Sequence, residues 1–166
     1  MRRLKIDHID LQIMHDLQKN GRTTNVELSE RAGISAPPCL RRIRALEQAG
    51  YIKGYHAEIN AEAIGFSVVI FAQVRLHSHA DSDLLAFEEL SKKWDQVREC
   101  HMLAGDTDFL LKVVAEDWDA YQRFLTSQLT ATPNVAHVTS SLSIRKSKNL
   151  PGPPMNLLIN RGSKPF

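Results

Sequence analysis

The sequence predicts an α+β chain: an N-terminal helix-turn-helix, with a wing-like turn, joined to a C-terminal ferredoxin-like βαββαβ domain. Three observations carry that prediction. Between residues 24 and 52, a helix opened by Thr24 and Glu27 is followed, past Gly33, by a second helix opened by Pro37 and Pro38. Between residues 66 and 144, apolar runs and amphipathic stretches alternate in the order β-α-β-β-α-β. Charge divides along the same lines: residues 1–56 balance to +4, 57–144 to −7 and 145–166 to +5, within a chain whose net charge is only +2.

The head, residues 1–56, begins with a helix over Asp7–Asn20 that buries Ile6, Ile9, Ile13, Met14 and Leu17 and stops at Gly21. Thr24 and Glu27 have capping-box spacing, and the short helix they open buries Leu28 and Ala32 before Gly33 ends it with a positive φ. In the next helix, first-turn amides have no intrahelical partner, so Pro37 and Pro38 cost nothing there. Ala36, Cys39, Leu40, Ile43 and Leu46 fall on one side of it, and Arg41 points away from that stripe with Pro37, Pro38 and Gln48 beside it. Arg42 and Arg44 flank the exposed face. Gly50-Tyr51-Ile52-Lys53-Gly54-Tyr55 reads as a short hairpin or wing, and residues 57–65 as a linker with a strand-like portion around Ile59.

The body, residues 66–145, opens with a strand over Phe66–His77. Asp81 or Ser82 caps a helix burying Leu84, Leu85, Phe87, Leu90 and Trp94. Strands at Val97–Leu103 and Phe109–Ala115 are joined by the turn Ala104-Gly105-Asp106-Thr107-Asp108. Asp117 caps a helix presenting Tyr121, Phe124, Leu125 and Leu129, and Val135–Ile144 is the last strand. Both helices lie on one face of such a sheet, and the apolar residues on its other face call for a partner, most economically a second copy. Residues 146–166 have no usable periodicity, and their Pro/Gly cluster predicts an extended, flexible tail.

Composition limits the possible functions. At 43% hydrophobic residues, with no apolar run of spanning length and no leader-like start, the chain is expected to work in the cytoplasm, associated with the nucleoid and away from membranes. Cys39 and Cys100 fall in different domains and are expected to be reduced. His77, His79, Cys100 and His101 do not make a zinc-spaced set, so no metal and no cofactor is expected.

A short helix, a glycine turn and a second helix baring arginines suit the major groove of double-stranded DNA. Arg41 is the candidate for base edges, because Arg pairs bidentately with guanine. Arg42 and Arg44 are expected on phosphates, joined by Ser35 and Lys53. Ser35 as an N-cap would accept from residue 37 or 38, which are prolines, so its hydroxyl is left for a phosphate or for water. The alternative is a helical hairpin whose arginines only solvate a surface. In the body, the amides of Ala104 to Asp108 with the Asp108 carboxylate suit the zwitterionic head of an amino acid, Asp108 meeting the ammonium. The alternative there is a plain hairpin with solvated aspartates.

Several stretches together resemble one family: Ile6-Asp7 with Asp10, Asn20-Gly21-Arg22, Val26-Glu27-Leu28-Ser29, Arg42-Ile43 with Leu46-Glu47, Gly50-Tyr51-Ile52, and Gly105-Asp106-Thr107-Asp108-Phe109. In this order over residues 4–148, they resemble the leucine-responsive/asparagine-regulator (Lrp/AsnC, feast/famine) transcription factors of prokaryotes. Pro38-Cys39-Leu40 and Glu99-Cys100-His101 lean toward the leucine-responsive branch. The resemblance implies a non-enzymatic regulator whose assembly or DNA affinity responds to a small, leucine-like amino acid, and whose dimers associate into tetramers or octamers. It also implies that the 104–108 turn contributes to the effector site, with Met102, Trp118, Ser141, Leu142 and Ser143 nearby. Two other functions stay open: a tetrapyrrole-decarboxylase-like enzyme on the same architecture, for which His101 and Arg98 would have to converge, and an architectural DNA-binding protein with no effector.

Overall fold

The computed structural model describes residues 5–160, and the chain divides into two compact units: residues up to Glu58 together with those from Lys148 on, and Ile59–Ser147. The outermost basic residues counted above, Arg2, Arg3, Arg161 and Lys164, lie outside the described residues.

The first unit holds helices α1 (His8–Lys19), α2 (Asn25–Arg31), α3 (Ala36–Gln48) and a short α6 (Met155–Ile159). Asp7 and Asp10 form a capping box at the start of α1, each carboxylate accepting the other residue's amide at 3.0 Å. Thr24 and Glu27 do the same for α2. Gly33 closes α2 at φ +66°, a conformation that a side chain would oppose. Ile13, Leu28, Cys39, Ile43 and Leu46 are the buried core, against which Ile6, Ile9, Met14, Leu17, Ala32, Ile34 and Ile52 pack.

Two expectations for this unit, and one for the stretch where the second unit begins, are corrected. Residues 50–55 contain no paired strand: Tyr51 and Ile52 amides turn back to the Leu46 carbonyl, Ile52 tucks into the core, and the Tyr55 hydroxyl donates to Glu47 at 2.9 Å. The stretch is held against the end of α3 and has no second strand to pair with. The strand-like portion around Ile59 is likewise unpaired. The tail forms a helix that packs on α1, with Met155 buried, because Met155, Leu158 and Ile159 supply an apolar face just after the Pro/Gly cluster.

The second unit is a four-stranded antiparallel sheet in the order β2-β3-β1-β4, formed by β1 (Val68–Leu76), β2 (Val97–Met102), β3 (Phe109–Ala115) and β4 (Val135–Leu142). Helices α4 (Asp81–Ser91) and α5 (Trp118–Phe124), the latter running on into a π turn at Leu125–Leu129, complete the βαββαβ order. Side chains alternate along the central strands: Ile70, Ala72, Val74 and Leu76 are buried while Phe71, Gln73 and Arg75 are exposed. The buried set meets Phe87, Trp94, Tyr121, Phe124 and Leu129 from the helical side, with Phe87 and Phe109 rings 4.6 Å apart. The cap of α4 differs from the expectation: Ala80 is the N-cap and makes no side-chain bond, while Asp81 is already helical.

Candidate functional site

Helix α3 carries the residues expected to meet DNA. Its N-cap is Ser35, which makes no side-chain cap bond, since prolines occupy the positions whose amides it would use. The Asn25 side chain donates to the Ala36 carbonyl at 2.9 Å and so fixes the start of α3 against the start of α2. Along α3, Pro37, Arg41, Arg44 and Gln48 are exposed. At 100° per residue these four fall within one sector of about 60°. Arg44 therefore stands beside Arg41, closer than the flanking position expected for it. Lys53 is exposed past the end of the helix, whereas Pro38 is only half-exposed.

Arg42 has a different job. Its Nη1 lies 2.8 Å from Asp10 Oδ1 and 2.9 Å from Asp7 Oδ2, and the Asp10 side chain is only 7% exposed. The hydrogen bond to Asp10 raises the Arg42 pKa further. Burial pushes Asp7 upward, but the Asp10 amide and the Arg42 guanidinium outweigh it and hold its carboxyl below the ordinary 3.8. Arg42 thus ties α3 to the start of α1, and the phosphate contact expected of it gives way to this internal pair. Asp7 and Asp10 could have been suspected from their i, i+3 capping spacing, but nothing local in sequence joins them to residue 42.

In the body, the turn joining β2 to β3 is braced by the chain around it. The Asp106 carbonyl accepts from Arg75 Nε at 2.8 Å and Nη2 at 2.6 Å. Asp108 is half-buried; its Oδ2 accepts the Leu76 amide at 2.7 Å, and His79 Nε2 lies 3.2 Å from Oδ1. The Leu76 amide needs this partner because the β1–β4 register shifts between Arg75 and Leu76. Asp108 thus anchors the end of β1, a role its place in the turn sequence did not reveal. Ala104, Gly105 and Asp106 are exposed, Thr107 is half-buried, and Gly105 has φ +152°.

The expected effector residues form two groups within one chain. Met102 and Ala104 to Asp108 sit at the Leu76 end of β1. Ser141 and Leu142 pair with Phe71 and Ile70, the Ser143 amide bonds to the Val69 carbonyl, and Trp118 follows β3 at that same far end. Met102 is level with Val74 and Ser141 with Phe71, three residues or roughly 10 Å apart along β1, and their strands β2 and β4 are opposite edges of the sheet, roughly 14 Å apart. Trp118 and Leu142 are nonetheless largely exposed, at 45% and 54%. Among the described residues there is no cluster of three or more His, Cys, Asp or Glu able to hold a metal ion, and no helix long and apolar enough to cross a membrane.

Comparison with known proteins assigns both halves. Residues 6–53 match a winged helix-turn-helix DNA-binding model, and residues 69–153 match the Lrp/AsnC ligand-binding domain. The chain belongs to the Lrp/AsnC family. It is 50% identical over 147 residues to the leucine-responsive regulatory protein of Rhizobium meliloti, covering 89% of this chain and 94% of that one. It is 40% identical over 130 residues to the Escherichia coli K12 protein of the same name, covering 78% and 79%. In structure it is similar to a Neisseria meningitidis transcriptional regulator in complex with L-Met, with a TM-score of 0.87 at 35% identity over 92% of this chain and 99% of that one. An AsnC-family regulator from Agrobacterium tumefaciens gives 0.85 at 28% identity over 92% and 99%. As an Lrp/AsnC protein the chain is a DNA-binding transcription regulator, with the DNA-binding fold in its head and the ligand-binding domain in its body.

Proposed function

We propose that this regulator reads double-stranded DNA through the Pro37, Arg41, Arg44 and Gln48 sector of α3. Arg41 takes base edges, while Arg44, Lys53 and the uncommitted Ser35 hydroxyl take phosphates. Its ligand is a small amino acid with an apolar side chain. The observation that carries this is the similarity, over nearly the whole chain, to a regulator in complex with L-Met. The exposed turn amides from Ala104 to Asp106 and the Asp106 carboxylate supply the chemistry for a zwitterion, with Asp108 holding the turn in shape. Trp118, Leu142 and Met102 supply apolar surface.

A single chain leaves the two groups apart, so the site is completed by a second copy that brings its Trp118 and Ser141–Ser143 end to the turn. Self-association is favoured by the open sheet face, where Phe71 is exposed among half-buried Val69, Leu110 and Val114. The dimer so formed associates further, into a tetramer or octamer, and works in the cytoplasm on the nucleoid. Catalysis is not part of this function. His101 pairs with Glu99 at 3.2 Å, and Arg98 reaches the Asp95 carbonyl, partners that support this reading over a decarboxylase.

Calorimetry with L-Met and L-Leu, paired with light scattering, tests the proposal. Asp106→Ala is expected to abolish binding while leaving the melting temperature unchanged. Full binding by that variant, or a monomer at micromolar concentration, would refute the shared site.

A further inference from the structure

The chain leaves the ligand-binding domain after Ser147, and the residues from Lys148 on belong to the DNA-binding unit. Their contact with it is built from specific bonds. The Gln18 side chain on α1 donates to the Pro151 carbonyl at 2.7 Å and to the Pro153 carbonyl at 2.8 Å. Asn149 Nδ2 donates to Glu58 Oε1 at 2.7 Å. Gly152 makes the turn at φ +59°, and a Cβ there would come within 2.6 Å of Gln18 Nε2. Met155, the first residue of α6, is buried to 7% exposure.

Helix α1 is correspondingly buried on two sides. Ile9, Ile13 and Leu17 face the core shared with α2 and α3. Leu11 and His15 are also buried but lie outside that core, and with Gln18 they make an i, i+4, i+7 stripe. At 100° per residue that stripe points away from Ile13 by about 140–200°. The tail packs on this helix and bonds to this stripe at Gln18. Arg41 and Arg44 stay exposed with the tail in place, so docking leaves the DNA face open.

Because of this docking, the head is held to the body by two stretches of chain, at 58–59 and at 147–148. A unit on one tether samples a volume set by its linker, and a second attachment removes most of that freedom. We propose that the docked segment 148–160 is a determinant of operator spacing. By holding α1 from its outer side, it limits where a recognition helix is carried, and so restricts which separation of half-sites a pair of heads reads. The inference rests on α3 being the DNA-reading helix and on the chain acting as at least a dimer.

The test uses full-length protein: wild type, Gly152→Val and Met155→Glu. A two-half-site DNA is first selected from random sequence with wild type, then lengthened between the half-sites by about 5 or about 10 base pairs, a half or a full helical turn. Wild type is expected to lose about tenfold or more in affinity on the half-turn insertion and to recover most of it on the full turn. Both variants are expected to lose less than about threefold on the half-turn insertion, as two independently tethered heads would. Gly152→Val touches neither the head's core nor its DNA face, so it decides the matter if Met155→Glu lowers the stability of the head. The same spacing penalty in Gly152→Val as in wild type, or no penalty in wild type, would overturn the proposal. So would tighter binding by the variants at the original spacing, which would make the segment an inhibitor. Failure of wild type to select any site would instead refute the DNA reading beneath it.

Discussion

Arg41→Ala and Arg42→Ala are expected to change different properties of the head. Removing Arg41 should cost about 1–3 kcal/mol of affinity at a specific site and relax its sequence preference, with the unfolding midpoint unchanged. Removing Arg42 should instead lower stability by about 1–3 kcal/mol in urea titrations, since it leaves the Asp10 carboxylate buried without its cation. The contact between Arg42 and Asp7 sets an acid dependence. Asp7 has a lower pKa folded than unfolded, so its contribution is complete above the ordinary 3.8 and is lost as pH falls through the lower folded value. Wild type should lose more stability than Arg42→Ala over that acidic range, and equal slopes would show that the pair contributes nothing. At this scale the sequence was informative about which face of α3 a residue occupies and uninformative about its partner. Helical phase alone places Arg44 beside Arg41 and carries Arg42 toward Cys39, but the partners Asp7 and Asp10 lie more than thirty residues back. Asp108 shows the same limit: a turn aspartate reads as solvated until the register shift at Leu76 is known.

Helix and strand positions were legible where the signal is periodic or local. The capping box at Thr24, the proline-opened α3 and strand β1 all occur near their expected positions. The misses are elements whose existence depends on a distant partner: the unpaired 50–55 segment, and α6, whose few apolar residues are too short to show a period without α1 to bury them. Two caps make a contrasting prediction. Thr24→Ala should cost about 1 kcal/mol, because a side-chain cap bond is lost. Ser35→Ala should cost well under about 0.5 kcal/mol, because no such bond exists, while still weakening DNA binding if its hydroxyl meets a phosphate. At the β2–β3 turn, Asp108→Ala should destabilise the body by about 1–3 kcal/mol, since the Leu76 amide loses its acceptor in a half-buried position. An unchanged denaturation curve would make that anchor dispensable.

Across the whole molecule, the division of charge anticipated the division of labour. The head carries a positive balance and the ligand-binding domain the acidic excess, while of the tail's cations Arg145 and Lys146 stay with that domain and Lys148 joins the head. In the proposed function, a ligand held by the body acts by favouring one assembly or one disposition of heads over another. Such coupling is typically about 1–3 kcal/mol, which predicts a graded response in place of an on/off switch. The most direct measurement is a titration of fluorescently labelled operator DNA with the full-length protein, without and with saturating L-Met or L-Leu. A shift in apparent affinity or in binding cooperativity of about 5- to 150-fold with at least one of them, absent in Asp106→Ala, is the predicted result. Superimposable curves with both amino acids, over a concentration range in which calorimetry detects their binding, would contradict the account.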